Sequence, residues 1–138
     1  MLAEIVLFAV SVRLPAAFTP SVLILLGGAG ALVRWTAMAL DPPGALLPLL
    51  QFLHALSFGA THLGMLAFIG RAAPSGLAAT AQGYLAVSTG VAMAAATGLS
   101  GLLYGRFGGS AYGAMALIAA AGVVAALVAH RMQVNEGR

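Results

Sequence analysis

The chain has 138 residues, 62% of them hydrophobic and only 7% charged, and it contains no cysteine. A soluble domain carries about a quarter charged residues, so too little polar surface exists here to cover a water-soluble globule. The formal net charge of +3 rests on six arginines scattered singly, mostly at the ends of apolar runs. That pattern excludes a nucleic-acid partner, which needs a clustered basic patch, and zero cysteines exclude disulfides and thiolate metal sites.

The expected fold is all-α: a polytopic membrane helical bundle of four full transmembrane helices preceded by a truncated one. A bilayer core about 30 Å thick takes roughly 20 helical residues. The first apolar run, 1–12, gives only about 18 Å of helix and is expected to be the second half of a spanning helix. The next run, 19–40, lies between Pro15/Pro20 and Asp41-Pro42-Pro43-Gly44. The third, 45–70, ends at Arg71 and has Pro48 in its first turn, where proline is tolerated. The fourth, 77–104, follows Ala73-Pro74-Ser75-Gly76, and the fifth, 111–130, ends at Arg131. Residues 1–131 thus form one partial bundle, and 132–138 a short polar tail expected to fray.

If the helices alternate, Arg13, Arg71, Arg131 and Arg138 share one side, and Arg106 and Asp41 the other. The positive-inside bias places the first set, and the C-terminus, in the cytoplasm. Small residues four apart at Gly90, Ala94 and Gly98, and at Gly101 and Gly105, mark the 77–104 helix as one that packs closely. Gly27, Gly28 and Gly30 suit a second helix that admits a neighbour. The 111–130 helix is almost wholly aliphatic and is expected to be peripheral.

Glu4, Arg34, His54 and His62 fall within the spans, and Gln82 near a helix start. Ionised groups there cost about 2.5–3.5 kcal/mol or more and usually pair or line a cavity. Glu4 and His62 each lie nine residues from a cytoplasmic arginine, so they match in depth. At about 100° per residue, Gln51, His54, Phe58, Thr61, His62 and Met65 share one arc of roughly 100°. That stripe must face protein or a water-filled cavity. The histidines suit either hydrogen bonds to neighbouring helices or proton and substrate handling, since imidazole titrates nearest neutrality. Glu4 and Arg34 suit either a structural ion pair or a functional site, and Gln82 either a helix-start hydrogen bond or the solute path. No serine elbow, paired carboxylates, phosphate loop or metal-ligand cluster is present, so neither an enzyme nor a cofactor site is expected.

The segments "AEIVLF", "GAGALVRW", "LLQFLHALSFGATHLGMLAFIGR", "ATAQGYLAV" and "SGLLYGRFG", in that order, resemble the C-terminal half of major facilitator superfamily transporters. The resemblance is to the phenylpropionate permease-like and nucleoside:proton symporter-like branch, over helices eight to twelve of twelve. It implies two six-helix bundles around a cavity that opens alternately to either side. It also implies that the Glu4, His54/His62 and Gln82 helices line that cavity, with the Arg34 helix and the last helix at the periphery. The partners it implies are the lipid bilayer, a small solute (aromatic acid, nucleoside or sugar), a proton and an N-terminal bundle. The implied location is a bacterial inner membrane. Glu4, Gln51, His54, Thr61, His62 and Gln82 are then candidates for the substrate and proton pathway, and Arg34 for a structural ion pair with a neighbouring helix, Glu4 being the candidate partner. The alternative is a small membrane subunit or scaffold, with the polar stripe as interhelical glue.

Overall fold

The computed structural model describes residues 2–11, 15 and 17–136, without the side chains of Leu2, Ala3, Glu4, Leu7, Val10, Gln133, Val134 and Glu136. Among these residues every regular element is helical. The helices are α1 (Leu2–Ser11), α2 (Pro20–Ala39), α3 (Leu47–Ala72), α4 (Ala78–Phe107) and α5 (Tyr112–Glu136). Single 3-10 turns at Gly44–Leu46 and Gly108–Ala111 lead into α3 and α5. Three apolar stretches reach spanning length: Pro20–Ala39, Gly44–Ala72 and Ala78–Met132, the last holding both α4 and α5. The expected spans 19–40, 45–70, 77–104 and 111–130 fall on α2, α3, α4 and α5, and α5 runs on to Glu136. Arg13 and Arg138 lie outside the described residues.

The helix ends follow local chemistry. Thr19, in extended conformation, caps α2 by accepting the Val22 amide at 3.3 Å, and Pro20 opens the helix, a position where its missing N–H costs nothing. At the far end Asp41 takes a left-handed φ of 52°, one of the few non-glycine residues that tolerates it. Between α3 and α4, the Leu77 amide donates to the Pro74 carbonyl at 3.0 Å, and Gly76 sits at φ 83°.

Helix α2 is the centre of the packing. It lies against α3 on one side and α5 on the other, while α1 packs on α3. Among the described residues α2 is the most surrounded element. The seam between α2 and α3 uses small residues: Gly27 faces Ser57 and Thr61, Gly30 faces Leu53 and Ser57, and Gly64 faces Pro20 and Ile24. A Cβ on Gly27 would lie 2.8 Å from the Thr61 amide nitrogen and 2.9 Å from the Ser57 carbonyl oxygen. One on Gly64 would lie 2.8 Å from the Pro20 carbonyl oxygen. Each helix thus offers a glycine to the other's backbone, which is how helices gain dispersion contacts where lipid supplies no hydrophobic drive. Gly28 does the same for α5, with Val123 Cγ2 at 2.8 Å from the Cβ position.

Helix α4 differs. None of its residues is buried, and it meets α3 and the following turn but stands off from the α2 seam. A Cβ on Gly90, Gly98, Gly101 or Gly105 would meet nothing within 4 Å. The close packing expected of that small-residue stripe is therefore absent among the described residues; it falls at Gly27, Gly28 and Gly64 instead.

Candidate functional site

The gap left by α4 is a cavity of about 730 Å³ bounded by all four long helices. Arg34 and Trp35 come from α2, and His54 and Phe58 from α3. Met93, Ala96, Thr97, Ser100, Gly101 and Tyr104 come from α4, and Ala111, Tyr112 and Met115 from the last turn and α5. Its size is that of pockets that hold small organic ligands.

Aromatic rings line the cavity wall. The Arg34 guanidinium carbon lies 4.0 Å from the Trp35 ring centroid, a cation–π contact. Trp35 stacks on Tyr112 at 5.6 Å and 19°, and Tyr112 meets Tyr104 edge-on at 5.9 Å and 61°. This chain of rings joins α2, α5 and α4. A second ladder climbs α3 at helical i,i+4 spacing. His54 stacks on Phe58 at 5.9 Å, Phe58 on His62 at 5.8 Å, and Phe8 of α1 meets His62 edge-on at 6.2 Å. Phe58 therefore separates the two histidines, with His54 on the cavity and His62 toward α1.

The hydroxyls are anchored to their own helices, as serine and threonine often are. Thr97 Oγ1 donates to the Met93 carbonyl at 2.8 Å, and Ser100 Oγ to the Thr97 carbonyl at 2.9 Å. Their protons are engaged, so they face the cavity as acceptors. Arg34 Nε is buried and makes no hydrogen bond among the described residues.

The remaining candidates are dispersed. Thr61 lines the α2–α3 seam opposite Gly27, its hydroxyl donating to the Ser57 carbonyl at 2.7 Å. Gln51 is exposed one turn from His54, and Gln82 is exposed near the start of α4, away from the cavity. The Glu4 side chain, and with it the expected pairing of Glu4 to Arg34, lies outside the described residues. Trp35, Phe58, Tyr104 and Tyr112 complete the site without having been singled out as candidates. The usable signals were the one tryptophan of the chain, adjacent to Arg34, and the i,i+4 position of Phe58 between the histidines.

Residues 1–114 match the model of the MFS_1 like family. No curated protein and no solved structure matches the chain.

Proposed function

The chain belongs to the MFS_1 like family, a major facilitator type of integral membrane protein, and from that premise we propose that it forms the C-terminal bundle of a secondary active transporter. In this reading 1–131 make up the bundle and 132–138 its cytoplasmic tail, in a bacterial inner membrane. A small organic solute moves together with a proton by alternating access, against an N-terminal bundle that completes the path. The family points to transport rather than catalysis.

The observation that carries the reading is the cavity between α4 and the α2–α3–α5 packing. It gathers Arg34 and His54 inside apolar helices, whereas a purely structural polar residue needs only a neighbouring helix. Polar groups retained at membrane depth around an open volume favour a solute path. Protonation of Glu4 or a histidine would change the charge along that path and bias one arrangement over the other.

The test is proton-driven uptake by the transporter containing this chain. His54→Ala and Glu4→Gln are each expected to lower accumulation against a gradient by at least about tenfold, about 1.4 kcal/mol of coupling. Wild-type accumulation in both variants would refute proton coupling through these groups.

A further inference from the structure

We infer that a second cavity, where α2 begins and α3 and α5 finish, binds a phosphate group, that of an anionic phospholipid, with Arg71 and His130 as its donors. The inference goes beyond solute transport and rests only on the chain's place in a membrane and on this cavity.

The cavity has a volume of about 440 Å³, and α2, α3 and α5 supply its wall. Its level is fixed by the apolar stretches: one begins at Pro20, another ends at Ala72 and the third ends at Met132. Those ends mark the edge of the hydrocarbon, and lipid phosphates lie in the headgroup layer just beyond it. Basic pockets between membrane helices on the cytoplasmic side are sites for acidic headgroups, and the arginine bias favours the cytoplasm for this end. The cavity at the other end of the bundle, where α2 finishes and α3 and α5 begin, has Asp41 in its wall. A carboxylate repels phosphate, so the two ends are not equivalent.

The donors come from three helices. Arg71 stands in the last turn of α3 and lines the cavity, and its planar guanidinium fork matches two phosphate oxygens at once. His130 reaches the same cavity from α5 and offers an imidazole N–H in either neutral tautomer. Thr19 Oγ1 accepts the Val22 amide, which leaves the hydroxyl proton to donate. The apolar part of the wall suits a lipid. Phe68 precedes Arg71 by three residues and Ala72 by four, so all three share one helix face, with Phe68 about a turn deeper in the membrane. Together with Pro20 they give the ester end of an acyl chain a surface to pack on. Inorganic phosphate would use the donors alone, whereas a phospholipid uses both parts of the wall.

Native mass spectrometry of the full chain, released from a mild detergent, counts the lipids it retains. The chain is titrated with phosphatidylglycerol and with phosphatidylcholine of the same acyl chains. One phosphatidylglycerol is expected to bind at least about fivefold more tightly than phosphatidylcholine. Arg71→Gln, checked for wild-type helicity by circular dichroism, is expected to lose most of that preference, and Arg71→Lys to keep part of it. Arg106→Gln removes the same charge from the last turn of α4, at the opposite end, and is expected to keep all of it. Inorganic phosphate at about 10 mM is expected to leave the lipid in place. The inference is overturned if the two lipids bind equally, if Arg71→Gln keeps the preference, or if Arg106→Gln loses as much as Arg71→Gln. It is equally overturned if inorganic phosphate displaces the lipid, which would make the site one for free phosphate. Should Arg71→Gln not fold, His130→Gln replaces it: a loss of at least about twofold is expected, and an unchanged preference overturns the inference. None of these outcomes bears on proton-driven uptake, so the two readings fail separately.

Discussion

Two regions of this molecule face the same lipid solvent and solve it in opposite ways. At the α2–α3 seam, Gly27 and Gly64 remove side chains so that backbone meets backbone. Beside the cavity, Trp35, Tyr104 and Tyr112 link α2, α5 and α4 through ring contacts while α4 stands off from α2. The contrast shows that glycine content alone does not locate packing. Helix α4 carries as clear a small-residue stripe as any other helix here, yet no glycine on it approaches a neighbouring helix. What decides is reciprocity: a glycine closes a seam only where the opposite helix presents backbone or small residues at the same level.

The largest expected effect breaks the tight region. Gly27→Val puts carbon against the Thr61 amide and the Ser57 carbonyl, which are backbone and cannot rotate away. Overpacking of this kind is expected to cost at least about 3 kcal/mol in reversible unfolding from bicelles, while Gly90→Val on α4 costs less than about 0.5 kcal/mol. Equal losses at the two sites would mean that α4 packs as closely as the seam.

The next effect loosens the open region. Tyr112→Ala deletes the ring that links Trp35 to Tyr104 and is expected to lower stability by about 1–2 kcal/mol, with a shift of Trp35 emission toward that of a more hydrated indole. An unchanged spectrum would show that the stack does not shape the cavity wall. Smallest is Asp41→Gly at the end of α2. Relief of the left-handed backbone is offset by the entropy glycine adds to the unfolded chain, so a gain below about 1 kcal/mol is expected. A clear loss of stability would assign the Asp41 side chain a role beyond the turn.

The spans were legible in the sequence because membrane length and apolar composition act locally, and Pro20, Asp41, Pro74 and Gly76 punctuate them where backbone chemistry demands. The α3 stripe was legible as a polar arc, but an arc gives direction and not neighbour. Thr61 and His54 share it, yet one meets Gly27 and the other the cavity, because α2 crosses α3 at the level of Ser57 to Thr61. Arg34 illustrates the same limit. Its depth followed from the spacing to Asp41, whereas its place in the cavity wall depends on α4 standing away from α2, which no residue pattern in α2 encodes. Tyr104 and Tyr112 lie at the facing ends of α4 and α5, and only the intervening turn brings their rings together.

The central claim is that the cavity is a water-reachable solute site inside the membrane. Since the chain has no cysteine, a single one can be placed at will. Ser100→Cys faces the cavity from α4, and Leu117→Cys stands on the exposed surface of α5 at 74% exposure. In membranes, the reaction of each with a polar maleimide is measured. The account predicts that Ser100→Cys reacts at least about tenfold faster than Leu117→Cys. Equal slow rates at the two positions would contradict it.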